Sequence, residues 1–501
     1  MTTRFTARLL PAVLAAIALS TGCDNDSGGS AAGDTTAESD AAVIADTGAA
    51  DTAGAEDAVG ADVSVADDVA ATEDTAGTED TAGTDDTSTT VDAQAGADTS
   101  ADTTSGMTTV KSSLARELSP EVATADQEAL VAGNTAFALD LYHQLGKEPG
   151  NLFFSPTSIS VALAMTYAGT AGETASQIAS TMHFDLPPAT LHQAFNWLDL
   201  ELNSRGEGAQ GADGEEFRLH VVNAIWGQTG YGFLDGFLDT LALNYGAGMT
   251  LLDFMADAEA ARVIINGWVA EMTEDRIPEL IPAGLITADT RLVLTNAVYF
   301  NAAWKSKFDE QYTSDGQFHR LDGSTVDAKV MVQAESFPIA EGADYLAVEL
   351  PYDGEELSMV IVEPTNFETF EQGLTPATIE GILASLQTES IALSMPRFEL
   401  STEALLADTL KGMGMTDAFV YGTADLSPMD GTKELFISEV IHKAFVKVNE
   451  AGTEAAAATA VIVAGGGVPK PVHIDHPFLF FIRDLKTGTV LFLGRVVDPS
   501  A

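Results

Sequence analysis

Four segments in the middle of the chain have the composition of long β-strands, and several of them are apolar on both faces. A strand of this kind must be covered on both sides, so its sheet lies between other layers of the fold. Helical patterns at 258–273 and 401–413 stand among the strands without a regular alternation of strand and helix. The sequence therefore predicts an α+β fold with large, mainly antiparallel sheets. The four segments are FRLHVVNAIW (217–226), RLVLTNAVYF (291–300), LAVELPY (346–352) and ELSMVIVEP (356–364).

An acidic, low-complexity segment precedes this patterned part of the chain. Residues 24–106 hold 21 Asp and Glu and no Lys or Arg, and the hexamer EDTAGT occurs twice in succession at 73–84. A segment with so few large apolar side chains cannot bury enough surface to offset the chain entropy lost on folding. Residues 23–112 are therefore predicted to be a disordered tether, followed by one globular domain at 113–501.

The first 22 residues contain basic, apolar and small residues in the order that is typical of an export signal. Arg4 and Arg8 precede an apolar run from Leu9 to Leu19, which is too short to cross a membrane as a stable helix. Small residues then lead to Cys23, and this arrangement resembles a bacterial lipoprotein signal, in which that cysteine is lipidated. The alternative is that Cys23 is removed with the signal. The prediction is an exported protein, either lipid-anchored at the cell envelope or surface or extracellular, without an internal disulfide because Cys23 is its only cysteine.

The sequence offers no motif that would make this chain an enzyme. It has no HExxH, GxSxG or P-loop spacing, so no catalytic residue and no cofactor is predicted. His473, Asp475 and His476 alternate along a predicted strand next to Pro477, which favours a structural role over a metal site. The net charge of residues 107–501 is −33, which disfavours nucleic acid and anionic membranes as partners.

Residues 449–471, NEAGTEAAAATAVIVAGGGVPKP, form an unusual segment near the C-terminus. The four alanines at 455–458 stand between Thr453 and Thr459, and no large side chain occurs before Val461. Small side chains are required in a strand that must slide between two strands already in place, because bulky groups would collide with packed neighbours. An alanine-rich linker or helix is the alternative interpretation of this segment.

Five blocks of the sequence, in order along the chain, resemble the serpin family of protease inhibitors. The resemblance covers about 128–499. The blocks are NLFFSPTSISVALAMTYAGTAGETASQI (151–178), INGWVAEMTEDRI (265–277), LTNAVYFNAAW (294–304), VELPYDGEELSMVIV (348–362) and IDHPFLFFIRDLKTGTVLFLGRVVDP (474–499).

The resemblance implies a fold of three β-sheets and eight or nine helices with an exposed loop around 452–470. A target protease would cleave this loop through its covalent acyl intermediate, and the freed arm would insert as a new strand into the central sheet. The protease would thereby be trapped in a covalent complex with one inhibitor monomer. A serpin-fold binding or scaffold protein without inhibitory action is the alternative, but the small residues of the loop favour inhibition.

The resemblance also assigns roles to individual residues. Seven residues match the family's hinge, where insertion begins, and seven others match positions that control the opening of the central sheet. Among the latter, His442 would otherwise be interpreted as a hydrogen-bonded core residue. The hinge residues are Gly452, Thr453, Glu454, Ala455, Ala456, Ala457 and Ala458, and the other positions are Ser155, Ser158, Asn296, Trp304, His442, and the ion pair of Arg397 with Glu450.

The scissile bond is placed by the spacing between the hinge and the C-terminal signature. Pro477 lies 25 positions after Gly452, and the family's usual distance places the cut between Gly466 and Gly467. Because a glycine offers no side chain to a specificity pocket, Val463 and Ala464 remain alternatives. Small apolar bait residues favour elastase-like or subtilisin-like serine proteases, with papain-like cysteine proteases as a second class.

Overall fold

The computed structural model describes residues 107–453 and 468–500. Several predictions concern residues outside these ranges. They are the signal at 1–22, Cys23, the tether before residue 107, the hinge residues Glu454 to Ala458, and the bond candidates Val463, Ala464, Gly466 and Gly467.

The described residues form ten α-helices and two short 3₁₀ helices. Helix α2 shows how local sequence sets a boundary, because the Ser155 hydroxyl accepts a hydrogen bond from the Ser158 amide (3.3 Å) and Pro156 occupies the first helical position. The helices are α1 (Thr124–Leu145), α2 (Pro156–Tyr167), α3 (Gly172–Met182), α4 (Pro188–Asn203), α5 (Asp235–Tyr245), α6 (Ala258–Met272), α7 (Phe367–Gln372), α8 (Pro376–Ser385), α9 (Ala407–Gly412) and α10 (Ser427–Asp430), with 3₁₀ turns at Glu310–Tyr312 and Asp417–Phe419.

Sixteen strands occur in the described ranges. They are β1 (Thr108–Val110), β2 (Leu152–Phe154), β3 (Arg218–Gln228), β4 (Met249–Leu252), β5 (Leu292–Ala303), β6 (Ser314–His319), β7 (Thr325–Glu341), β8 (Tyr345–Pro351), β9 (Leu357–Pro364), β10 (Gln387–Pro396), β11 (Phe398–Leu405), β12 (Ile437–Val448), β13 (Gly452–Thr453), β14 (Lys470–His473), β15 (Phe478–Asp484) and β16 (Val490–Val496).

The four strands predicted from 217–364 are confirmed as β3, β5, β8 and β9, but the helix predicted at 401–413 is partly wrong. Residues up to Leu405 belong to β11, which pairs with β12, and only α9 is helical. In β11 the side chains of Phe398 and Leu400 are buried while Glu399 and Ser401 are exposed. This alternation of period two, together with the pairing to β12, outweighs the local helical pattern.

Seven strands form the central sheet, in the order β1-β4-β3-β5-β13-β12-β11. All twelve residues of β5 are buried because this strand is covered on both faces. Along one face, Val293 and Ala297 pack against α6, while Leu294 and Val298 point into the main core on the other face. Helix α2 contacts β3 and β5 from that inner side. The prediction of a large sheet enclosed between layers is confirmed.

The other strands form one nine-stranded sheet, β14-β10-β7-β8-β9-β15-β16-β2, with β6 paired to β7. The family resemblance implied three sheets, whereas the described residues form two that are continuous. The reason is the length of β7, which pairs with β10 over 330–339 and continues to pair with β8 over 339–341. The helix count is ten rather than eight or nine, and three of these helices have six residues or fewer.

The folded domain begins before residue 113, its predicted start, and residues 107–118 form its first segment. Strand β1 pairs with the edge strand β4, so the last residues of the range assigned to the tether belong to the central sheet. The segment then crosses α4 and α5, where the Arg116 guanidinium donates to Asn196 (2.8 Å) and Asp199 (2.6 Å). Pairing with β1 covers a sheet edge that would otherwise be open to other strands. Within the described residues, no helix is both long and apolar enough to cross a bilayer.

Candidate functional site

A row of polar side chains crosses the middle of the central sheet. Asn223, Asn296 and His442 occupy paired positions on β3, β5 and β12. The Asn296 amide donates to Asn223 Oδ1, and its own Oδ1 bonds to His442 Nδ1. Asn296 and His442 lie where β5 and β12 run side by side in parallel, so any strand inserted between β5 and β12 must separate them.

The start of α2 completes this cluster from the inner side of the sheet. The Ser155 amide donates to His442 Nε2 (3.2 Å), while the Ser155 hydroxyl donates to the carbonyl of Leu491 (2.7 Å). The Ser158 hydroxyl accepts a hydrogen bond from the Asn296 amide. The predicted grouping of Ser155, Ser158, Asn296 and His442 is therefore present in the structure.

His442 is held in its neutral form by these contacts. Its side chain is completely buried, and Nε2 must be unprotonated because it accepts a bond from the Ser155 amide. Nδ1 then carries the proton and donates to Asn296. Burial lowers the pKa of His442 to about 3, because the charged form would lose its hydration without gaining an anionic partner.

The central sheet opens at one end, and the first two hinge residues lie in that opening. The parallel pairing of β5 with β12 ends at Val298 and Ala444. Beyond that point the chain turns after β12 and enters as β13, with Gly452 opposite Ala303 on β5. A Cβ atom on Gly452 would collide with the carbonyl oxygen of Ala302, so glycine is required by this close approach.

The second hinge residue is locked into the sheet by a buried hydrogen bond. Thr453 is 0% exposed, and its Oγ1 lies 2.8 Å from the hydroxyl of Tyr352, which is also completely buried. The ring of Tyr352 stacks on Trp304 with 4.7 Å between centroids, and the Trp304 indole donates to the carbonyl of Asn449 (2.9 Å). Trp304 therefore contacts both the hinge's hydrogen-bond partner and the turn that leads into it.

A family model described as Serpin (serine protease inhibitor) matches residues 132–499, which is well over half of the chain. This chain belongs to the serpin family. The resemblance implied insertion into the central sheet, and the structure places Gly452 and Thr453 between β5 and β12 of the seven-stranded sheet. The prediction that the chain is not an enzyme is confirmed by membership of this family of inhibitors.

Curated relatives of this serpin include leukocyte elastase inhibitors of vertebrates. The leukocyte elastase inhibitor A of Rattus norvegicus is 40% identical over 387 residues, in an alignment that covers 74% of this chain and 100% of the relative. The leukocyte elastase inhibitor of Homo sapiens is 40% identical over 389 residues, and that of Xenopus laevis is 38% identical over 384 residues, with the same coverage.

Solved serpin structures confirm the predicted fold class. A tumour-suppressing serpin matches with a TM-score of 0.66 and 25% identity, covering 74% of this chain and 100% of its own. Native protease nexin-1 with heparin matches with a TM-score of 0.67 and 26% identity, with the same coverage.

The ion pair predicted between Arg397 and Glu450 is present in this serpin, and its acidic partner is buried. Arg397 Nε donates to Glu450 Oε1 (2.6 Å), and the Glu450 side chain is only 3% exposed although that of Arg397 is 39% exposed. The Thr313 hydroxyl donates to the same carboxylate oxygen. Because Glu450 lies in the turn between β12 and β13, these bonds fix the point where the chain reverses into the sheet.

Sequence reasoning missed Asn223, Tyr352 and Thr313 as members of this site. Asn223 carries a signal that could have been used, since it is a lone amide in the apolar strand HVVNAIW. Tyr352 and Thr313 carry none, because their partners Thr453 and Glu450 are 101 and 137 positions away in the sequence.

Replacing Tyr352 with phenylalanine should loosen the hinge. The substitution leaves the buried Oγ1 of Thr453 without this partner, which costs about 1–3 kcal/mol. Since 1.4 kcal/mol corresponds to a tenfold change in an equilibrium, amide hydrogen exchange over 448–453 should become about tenfold faster or more. Tyr345→Phe, on β8, is the control and should leave this exchange unchanged. Equal exchange in Tyr352→Phe and the unsubstituted protein would show that the bond does not hold the hinge.

Proposed function

We propose that this serpin inhibits proteases as a suicide substrate. The observation that carries the proposal is the placement of Gly452 and Thr453, which already begin a strand between β5 and β12 in the central sheet. The next hinge residues in sequence, Glu454 to Ala458, are small apart from the glutamate, so they suit an extension of this strand. The identity to leukocyte elastase inhibitors over their full length supports inhibition as the activity.

The proposed reaction begins as ordinary proteolysis. The catalytic serine of the protease attacks a carbonyl carbon within 463–467, with the Gly466–Gly467 bond favoured by spacing. The peptide C–N bond breaks, the new amino terminus takes a proton, and the N-terminal arm of the loop remains bound to the protease as an acyl ester. Insertion of this arm then moves the protease away from the loop's original position before water can release it.

Insertion would proceed from the hinge along the seam between β5 and β12. Thr453 is the first inserted side chain, and continued insertion must break the backbone pairing of Leu292–Val298 with Ile437–Ala444. The Asn296–His442 contact lies on this seam and would also be replaced. The bonds of the polar cluster therefore hold β5 and β12 together until they are replaced by the bonds of the new strand.

The proposed targets are elastase-like or subtilisin-like serine proteases, with papain-like cysteine proteases as a second class. The bait sequence IVAGGG at 462–467 offers only small or β-branched side chains, which suit a shallow specificity pocket. The first basic residue is Lys470, and it is followed by Pro471, which makes trypsin-like cleavage in the bait a poor fit.

The export signal leads to a proposal about location. We infer that the protein is exported and anchored through a lipid on Cys23, and that it acts as a monomer at the end of the acidic segment 24–106. Metabolic labelling with a radioactive fatty acid should mark the unsubstituted protein and leave Cys23→Ala unlabelled. Equal labelling of both would refute the anchor without affecting the inhibitory proposal.

The decisive experiment for inhibition is a denaturing gel. The purified chain is mixed with an elastase-like protease, subtilisin or papain, and each mixture is denatured in SDS. A stable band at the summed mass supports trapping, and mass spectrometry of the released C-terminal fragment identifies the scissile bond. Cleavage without such a band for all three proteases would refute inhibition and indicate the serpin-fold binding protein instead.

A further inference from the structure

Three potential metal ligands lie together just beyond the end of β14, the strand that follows the bait sequence 462–467. Glu363 lies near the end of β9, while Asp475 and His476 lie in the turn between β14 and β15. Each offers one ligand atom, and these atoms all lie within 4.8 Å of one another. Residues 112 and 113 positions apart in the sequence are thus brought to one place.

The two oxygens of Glu363 have different surroundings. Its Oε2 accepts hydrogen bonds from the backbone amides of Asp475 (3.1 Å) and His476 (3.4 Å), which orient the carboxylate on the turn. Its Oε1 lies 3.8 Å from His476 Nδ1, and Asp475 Oδ1 lies 2.6 Å from the same nitrogen. One oxygen of each carboxylate therefore faces the imidazole.

The separation between Glu363 Oε1 and His476 Nδ1 is close to that between two ligands of a bound zinc ion. Bonds of 2.0–2.2 Å in a tetrahedral site place neighbouring ligand atoms about 3.4 Å apart. The 3.8 Å separation is close to this value, whereas the 2.6 Å contact is a hydrogen bond from His476 Nδ1 to Asp475 Oδ1, whose proton a metal ion would displace. The His476 side chain is 54% exposed, so it has room for the small rotation that would even out the two separations.

Surrounding contacts hold the ligands in place. The ring of His319 stacks on that of His476, with 4.6 Å between centroids and 14° between planes, and the His319 amide donates to the carbonyl of Asp475 (2.8 Å). Glu363 is mostly buried, with 15% of its side chain exposed, and its carboxylate lies beside that of Asp475. A cation at this place would compensate for two adjacent carboxylates whose ion pairs in the described residues are with His476.

We propose that Glu363, Asp475 and His476 bind a divalent transition-metal ion of the Zn²⁺ class, with water completing its coordination. An imidazole nitrogen beside two carboxylates favours Zn²⁺ or Co²⁺ over Ca²⁺ and Mg²⁺, which prefer oxygen ligands alone. This proposal differs from the sequence prediction, which favoured a structural role for His473, Asp475 and His476 over a metal site. The missing ligand was Glu363, whereas the ring of His473 bonds to Ser394 (2.7 Å).

The position of the site predicts that a bound ion would stabilise the folded state. Strand β14 leads directly from the bait loop, and Asp475 and His476 follow it within three residues. A metal bound there joins this turn to β9 in the same sheet. Because a ligand that binds only the folded state stabilises it, saturating Zn²⁺ should raise the melting temperature. The inference does not depend on the proposed inhibitory activity.

The test compares metal binding by the full chain and three variants. Isothermal titration with Zn²⁺ and absorption spectroscopy with Co²⁺ are applied to the unsubstituted protein, Glu363→Gln, His476→Ala and the control His473→Ala. Glutamine keeps an oxygen for the two backbone amides, so Glu363→Gln should stay folded. Melting curves without metal confirm the fold of each variant. Weak binding by carboxylates of the segment 24–106 is common to all four proteins and cancels in the comparison.

We expect one Zn²⁺ equivalent, and its accompanying Co²⁺ spectrum, to be lost or weakened at least about tenfold in Glu363→Gln and His476→Ala. The control His473→Ala should bind like the unsubstituted protein, and Ca²⁺ should not compete for this equivalent. Equal Zn²⁺ binding and equal melting-temperature shifts in all four proteins would overturn the proposal. Loss of the equivalent in His473→Ala alone would also overturn it, by placing the ion elsewhere on β14.

Discussion

Replacing Thr453 with arginine is expected to convert this serpin from an inhibitor into a substrate. Thr453 is fully buried between β5 and β12, and its hydroxyl bonds to Tyr352. An arginine there would bring an unpaired charge into the sheet, at a cost of several kcal/mol. The loop would therefore be cut as before, but insertion would no longer outpace release of the protease.

The effect on trapping should be large. Each 1.4 kcal/mol changes the ratio of two competing rates about tenfold, so a penalty of several kcal/mol should reduce the SDS-stable complex by about two orders of magnitude. The measurement is the ratio of complex to cleaved inhibitor on a denaturing gel. Cleavage itself should continue at a rate similar to that of the unsubstituted protein, since the bait residues are unchanged.

Two controls separate this effect from a general loss of structure. Thr453→Ser keeps the hydroxyl and the small size, so it should trap protease normally. Thr325→Arg introduces the same charge at an exposed position at the start of β7 and should also trap normally. Undiminished trapping by Thr453→Arg would refute insertion that begins at this residue.

Acid is expected to destabilise the folded state through His442. Its folded pKa is about 3, compared with 6.5 for an unperturbed histidine, so the unfolded state binds the proton more tightly. The stability contributed by keeping His442 neutral is therefore complete above pH 6.5. It declines by about 1.4 kcal/mol per pH unit below that value, down to pH 3. Between pH 7 and pH 5 the loss from this group is about 2 kcal/mol.

Other buried groups titrate in the same range, so the contribution of His442 is measured as a difference in stability between two proteins. His192, whose pKa burial lowers to about 4, acts in the same direction. Glu363 acts in the opposite one, because its raised pKa makes the protonated, folded form more favourable as the pH falls. Comparing the unsubstituted protein with a His442 variant at both pH values removes these shared contributions.

His442→Gln is the appropriate variant because glutamine can accept from Ser155 through its oxygen and donate to Asn296 through its amide. Between pH 7 and pH 5 its free energy of unfolding, from denaturant titrations, should fall about 2 kcal/mol less than that of the unsubstituted protein. His473→Gln, on the exposed side of β14, controls for removing a histidine. An identical fall in the unsubstituted protein and His442→Gln would show that His442 does not govern the acid response.

Local patterns in the sequence were sufficient for much of the fold. The predicted strand at 291–300 corresponds to β5, and the helical pattern at 258–273 corresponds to α6. These elements are set by side-chain periodicity, which acts between residues close in sequence. The helix expected across 401–405 was wrong because the short alternation of period two in β11 is reinforced by pairing with β12, about forty residues away, and the local helical pattern does not encode that pairing.

The sequence by itself determined that this chain has the blocks of a serpin and a hinge of small residues, because both are properties of contiguous segments. Only the tertiary structure decided that Thr453 is already locked to Tyr352, that Glu450 is buried, and that Glu363 meets His476. The contacts of Thr453 with Tyr352 and of Glu363 with His476 join residues separated by 101 and 113 positions. They depend on the order and register of strands in the sheets, and that order follows from packing the whole domain rather than from any segment of it.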